Sequence, residues 1–178
     1  GGGYFTIFRL ANALARAGHV VRVYIEAIAH LEGRSEEQIV RFLEDNFGPL
    51  AVTVVVGHEE IEQADATIAT NWPTAFTVAR HPGSLFKLYF IQDFEPEFYA
   101  PEDPLYHKAE ETYALPLQHV TIGTSLASVA PRFDPPLMLL LLAAARFAPR
   151  RPPQPRTDGT LPRVLHIISS WGVGGAQA

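Results

Sequence analysis

Short, nearly unbroken apolar runs recur along this chain with helix-patterned segments between them, and few folds accept that alternation. The runs are Val20–Ile25, Ala51–Val56, Ala66–Thr70, Phe86–Ile91 and His119–Gly123. Valine, isoleucine, threonine and aromatic residues are frequent in them, which marks strands. They do not alternate apolar with polar, as a strand with one wet face does. Continuous runs belong to parallel strands covered on both sides. Between them, Tyr4–Ala17 carries an apolar stripe of helical period at Ile7, Leu10, Ala11 and Leu14, and Gly18 stops it. Ser35 with Gln38 three residues later is a capping-box signature, continued by Ile39, Phe42 and Leu43 until Gly48-Pro49. Thr74–Arg80 reads as a short helix and Pro104–Leu115 as a stronger one. Strand alternating with helix predicts a Rossmann-like, doubly wound α/β fold with a parallel sheet.

Composition narrows the function. The 178 residues are 47% hydrophobic, enough to bury one core. Fourteen basic residues stand against nineteen acidic ones, a net charge of −5. Without a basic cluster to neutralise phosphates, nucleic acid is not an expected partner. Cysteine is absent, which excludes disulfides, a thiolate nucleophile and a Cys-bound zinc site, and fits a cytoplasmic location. The histidines show no metal-ligand spacing, so neither a metal nor another cofactor is expected. His107, on the helix after the Gln92–Pro96 segment, reads as a surface residue. The longest apolar run, Leu137–Ala145, falls short of the ~20 residues of a membrane helix, leaving at most a peripheral membrane association. No signal peptide opens the chain. It begins Gly1-Gly2-Gly3 without Met and stops just after a second glycine cluster, as a piece cut from a longer protein would.

The texture divides the chain in three. Residues 1–130 carry the alternating pattern. Residues 131–163 combine an apolar stretch, read as a helix over Leu137–Ala148, with a Pro/Arg-rich linker that tends to polyproline II. Residues 164–178 return to a buried-strand pattern, Val164–Ser169, followed by a glycine loop.

In an open parallel sheet, ligands gather where loops leave the carboxyl ends of the strands. Those ends here are Thr70-Asn71-Trp72-Pro73-Thr74, Gln92-Asp93-Phe94-Glu95-Pro96 and Gly123-Thr124-Ser125. Asp93 and Glu95 have two readings, a ligand site or capping of a turn near Pro96. Asn71 and Thr74 read first as a helix start, with Pro73 at the first helical position. Gly1-Gly2-Gly3 runs straight into a helix, where free N–H groups suit an anion or a sugar hydroxyl. It does not match the G-x-G-x-x-G fingerprint, and neither a P-loop nor a G-x-S-x-G elbow occurs. Glu26 ends the first strand where a ribose-binding acid would sit.

Four stretches together suggest a family. The run Gly1–Asn12, with Leu14 and Gly18-His19, resembles the glycine loop and first helix of GT-B glycosyltransferases. Ala69–Ala75, Tyr89–Tyr99 and Ala109–Tyr113 narrow the likeness to the N-terminal domain of bacterial rhamnosyltransferases of rhamnan and S-layer glycan synthesis. It covers residues 1–127, and the long Gln-Asp-Phe-Glu-Pro stretch is its most specific part. Leu161–Ala176 resembles instead the opening strand and glycine loop of a different glycosyltransferase family 4 domain.

The resemblance implies an enzyme that moves a sugar from a nucleotide donor to a growing glycan at the inner face of the cell membrane. This chain would supply the acceptor-side half and be inactive alone. The donor, a dTDP-rhamnose-like nucleotide sugar, would bind a second domain. By the match, Gly1, Gly2, Gly3, Thr70, Asn71, Trp72, Thr74 and Gln92 would line the acceptor cleft. Gln92, Asp93 and Glu95 would be exposed there, Asp93 and Glu95 as the catalytic candidates. The competing reading is a non-catalytic α/β module that binds a sugar or a nucleotide. The likeness also implies a first strand ahead of Gly1, at the centre of the sheet. Val164–Ser169 either fills that slot, pairing with Val20–Ile25 and Ala66–Thr70 and bringing Gly172–Gly175 to Gly1–Gly3, or hangs free with residues 149–178.

Overall fold

The computed structural model describes residues 2–26, 33–57, 60–123, 126, 138–140 and 164–169. In chain order the elements are α1 (Gly2–Arg16), β1 (Val20–Ile25), α2 (Glu36–Phe47), β2 (Thr53–Val56), β3 (Ala64–Ala69), α3 (Trp72–Arg80), β4 (Ser84–Ile91), α4 (Pro104–Glu111), β5 (Gln118–Thr121), β6 (Met138–Leu140) and β7 (Val164–Ser169). Short 3-10 turns at Glu95–Phe98 and Thr112–Ala114 flank α4. The strands form one seven-stranded sheet of order β2-β1-β7-β3-β4-β5-β6, and every pairing is parallel. This is the doubly wound α/β architecture that the alternating pattern predicts.

Local signals set the helices. Gly18 (φ +90°) and Gly48 (φ +84°) take the left-handed backbone that ends α1 and α2. The Ser35 hydroxyl accepts the Gln38 N–H at 3.3 Å, and the Gln38 side chain accepts the Ser35 N–H at 2.9 Å. The helices then cover the sheet from both sides. Ile7, Phe8 and Ala11 of α1 and Ile39 and Leu43 of α2 pack on Val21, Val23, Ile68, Leu165 and Ile167. Ala75 and Val78 of α3 pack on the other face, against Tyr24, Ala69, Tyr89 and Ile168. Fully burying each valine, leucine, isoleucine or phenylalanine among them contributes roughly 1.5–3 kcal/mol. Asn12 is buried for a structural reason: its side chain donates to Pro49 O at 3.0 Å and accepts the Ala51 N–H at 2.7 Å, clamping the loop before β2 to α1.

The last strand in sequence is central in space. β7 pairs with β1 from Val20↔Val164 to Ile25↔Ser169 and with β3 from Ala66↔Leu165 to Ala69↔Ile168. Val164–Ser169 thus takes the inserted position and does not hang free. Its ends are pinned by neighbouring side chains. Asp65 Oδ2 accepts the Val164 N–H at 2.7 Å, and Thr70 Oγ1 donates to Ile168 O at 3.0 Å. His166, fully buried on this strand, lies with Nε2 3.5 Å from Arg22 Nη1. Burial first, then that guanidinium, hold its pKa below 6.5.

One element departs from expectation. Within the helix read over Leu137–Ala148, the described residues Met138–Leu140 are a strand paired with β5. A short leucine-rich run has no distinguishing period, and the open edge of β5 offers its backbone groups hydrogen-bond partners. The rest of that stretch, Gly1, the Thr124-Ser125 pair and the Gly172–Gly175 loop lie outside the described residues.

Candidate functional site

Two loops leave the carboxyl edge of the sheet side by side, after β3 and after β4. The first is closed on itself. Thr74 Oγ1 accepts the N–H groups of Thr70 (3.1 Å) and Asn71 (3.3 Å) and donates to Asn71 O at 2.9 Å. Thr74 is 1% exposed and Thr70 3%. Trp72 is also buried, with its indole N–H donated to the Tyr99 hydroxyl at 3.1 Å. The helix-start reading of Asn71 and Thr74 therefore holds, with α3 beginning at Trp72 and Pro73 following it. Thr70, Trp72 and Thr74 are framework, a correction to their placement on the cleft surface. Asn71 is half-buried.

The second loop is divided. Phe90 and Ile91 are buried, as a strand end requires, and Asp93 is exposed. Asp93 Oδ1 accepts the Phe94 N–H at 2.9 Å, which leaves the rest of the carboxylate towards solvent. Glu95 does not share that exposure, contrary to expectation. It is 5% exposed, and its Oε2 accepts the Trp72 N–H at 2.6 Å. It thus ties the second loop to the amino terminus of α3, where a negative charge is favoured. Burial, the largest influence, lifts its pKa from 4.5 to about 7; the Trp72 N–H draws it back and the Asp93 charge raises it. Beneath it, the Tyr113 hydroxyl accepts the Glu95 N–H at 3.3 Å, and the Tyr113 ring stacks on Phe94 and Tyr89 at 5.6 and 5.8 Å. Apolar and aromatic packing fixes this loop from below.

Gln92 and Gly3 do come together. A Cβ built on Gly3 would stand 3.7 Å from the Gln92 side-chain amide, so the first turn of α1 lies against the end of β4. That turn contains no acidic residue. Gln92 is half-buried, not exposed as expected, because its side chain packs against that turn; its Oε1 is buried without a hydrogen-bond partner among the described residues, and so is Ser169 Oγ at the end of β7. Ser169 shares its sheet face with Leu165 and Ile167, the α1 side, and is 2% exposed. Sequence reasoning missed it. Its signal was the one that drew attention to Gln92, a polar residue closing an apolar run. Buried polar groups without partners at the carboxyl end of a parallel sheet, beside the amino end of a helix, suit a polar or anionic ligand.

Glu26 follows β1, with its N–H donated to Ser169 O at 3.0 Å. His107 is exposed and 3.7 Å from Glu110. Among the described residues no acid/His cluster could hold a metal ion, and no helix is long and apolar enough to cross a membrane.

No family model and no solved structure matches the sequence. A curated protein does. The chain is similar to the O-antigen biosynthesis protein RfbC of Myxococcus xanthus. The two are 34% identical over 119 residues, which is 64% of this chain and 9% of that protein. The chain therefore matches less than a tenth of that relative's length.

Proposed function

We propose that this chain takes part in glycan biosynthesis as the acceptor-side portion of a GT-B-like glycosyltransferase. The observation that carries the reading is the carboxyl edge of the sheet. There the opening turn of α1 lies against Gln92, the exposed Asp93 follows it in the same loop, and Ser169 ends β7 at the same sheet edge, in a chain similar to an O-antigen biosynthesis protein. Such an edge offers N–H donors, an amide and a carboxylate, the groups that orient sugar hydroxyls. Asp93 accepts a hydrogen bond from the acceptor hydroxyl and is the candidate to take its proton as the sugar is transferred. Gly2, Gly3, Gln92 and Asn71 bind and orient the acceptor. Glu95 is withdrawn from the proton-transfer role proposed by resemblance, because its carboxyl is buried against Trp72 N–H. It positions the Asp93 loop instead. In this reading the donor, a dTDP-rhamnose-like nucleotide sugar, is held by another domain of a longer protein at the cytoplasmic face of the membrane.

The test is transfer of radiolabelled rhamnose from dTDP-rhamnose to a rhamnan acceptor by the full-length protein. Asp93→Asn is expected to abolish most transfer while the acceptor still binds. Wild-type protein that binds acceptor but never transfers sugar, from this or any nucleotide donor, would favour the binding-module reading.

A further inference from the structure

Along α3, from its first turn to its last, α3 and α4 enclose a groove of about 320 Å³, lined by Trp72, Pro73, Phe76 and Arg80 from α3 and by Lys108 and Glu111 from α4. Trp72, Phe76 and Arg80 recur every four residues, so one face of α3 presents an aromatic strip ending in a cation. The Trp72 and Phe76 rings meet edge-to-face at 6.4 Å. The indole N–H is already engaged by Tyr99, so the tryptophan offers the groove apolar surface. Arg80 and Lys108 are both exposed, and neither forms an ion pair among the described residues. In a chain of net charge −5, two unpaired cations beside an aromatic wall are complementary to an anion that carries an apolar face.

We propose that this groove is a second saccharide subsite, taking a pyranose unit that bears an anionic group. Its volume is at the small end of the roughly 300–1,000 Å³ of ligand pockets, room for one ring-sized unit. Pro73 and Phe76 meet the C–H face of the ring. Arg80 and Lys108 pair with the anionic group, the guanidinium in the forked geometry that suits carboxylate and phosphate alike. Glu111 accepts hydrogen bonds from hydroxyls. The choice of a sugar as the ring rests on the glycan reading above; the anion preference rests on the groove alone.

The experiment is a titration of the whole chain with glucuronate, glucose 6-phosphate, glucose and inorganic phosphate in turn. It is followed by calorimetry and by the indole N–H resonance of Trp72. At least one anionic sugar is expected to bind about tenfold more tightly than both glucose, which lacks the charge-assisted contact, and inorganic phosphate, which lacks the ring's contact with Pro73 and Phe76. Which of the two does so separates a carboxylate from a phosphate. The Arg80→Gln/Lys108→Gln double variant, or Lys108→Gln alone, should remove that preference with an unchanged melting temperature. Phe76→Ala should bring the sugar phosphate down to the level of inorganic phosphate. Equal binding of sugar phosphate and inorganic phosphate, together with no glucuronate preference, overturns the proposal. So does a preference that survives the double variant. Asp93→Ala separates the two readings: if it weakens a neutral rhamnan acceptor while no anionic sugar binds the groove, the subsite fails and the acceptor reading stands.

Discussion

The loops after β3 and after β4 leave the same edge of the sheet, and both read in sequence as polar residues following an apolar run. They end differently. In the first, Thr74 fills its hydrogen-bonding capacity with Thr70 and Asn71. In the second, Gln92 Oε1 has no hydrogen-bond partner among the described residues, and the Asp93 carboxylate is exposed. Glu95 belongs to the second loop in sequence and serves the first, through Trp72 N–H. Position at a strand end is thus a weak guide to a binding residue. Whether the polar atoms are already satisfied is a better one, because a satisfied buried group has nothing left to offer a ligand.

The contrast breaks most completely if the strand beneath both loops is removed. A chain ending at Arg163 lacks β7, which leaves β1 and β3 with open backbone edges and strips the core of Leu165, Ile167 and Ile168. Cooperative unfolding followed by circular dichroism is expected to disappear. A chain that still melts cooperatively would show that β7 is an accessory.

Thr74→Val comes next. It keeps the shape of Thr74 but strands the Thr70 and Asn71 N–H groups, and is expected to cost about 3 kcal/mol in urea unfolding. Acceptor affinity of the fraction that remains folded should be unchanged.

Glu95→Gln sharpens the comparison through pH. The folded chain holds the Glu95 proton up to about 7, against the ordinary 4.5. Its stabilising contribution is therefore full below about 4.5, declines as pH rises and levels off above about 7. The decline amounts to roughly 3 kcal/mol at most. His119 and His166 act in the opposite sense, since burial lowers both below 6.5 and their contribution is lost as pH falls. The difference between wild type and Glu95→Gln isolates the glutamate. A difference that stays flat from pH 4.5 to 7 would refute its burial as a proton-holding group.

The smallest effect on stability belongs to Asp93→Ala, less than ~1 kcal/mol as expected for an exposed side chain. Its effect on acceptor binding should be the largest of the set. A large fall in melting temperature with acceptor binding intact would make Asp93 a structural cap like its neighbour.

Much of this was legible in the sequence because it depends on near neighbours. The Ser35–Gln38 capping box, the stops at Gly18 and Gly48, and the buried strand end at Phe90-Ile91 involve residues a few positions apart. For β7 the length and pattern allowed the central slot without choosing it over a free end, and its pairing with β1 and β3 made the choice. Met138–Leu140 could not be anticipated, because a leucine run is equally apolar as helix or strand until a neighbouring edge claims it. Glu95 could not either, since nothing local distinguishes it from Asp93 two residues earlier.

What the sequence by itself determined is the alternation of strand and helix, the glycine stops at Gly18 and Gly48 and the parallel α/β class, all consequences of residue period and backbone preference within a few positions. The tertiary structure alone decided which polar groups stay available. Thr70 is spent on Ile168 and Glu95 on Trp72, contacts 98 and 23 residues apart in the chain, whereas Gln92 is brought beside the first turn of α1, and its Oε1, like Ser169 Oγ, has no hydrogen-bond partner among the described residues. A hydrogen bond is satisfied in space, and only the packed sheet puts those partners within reach.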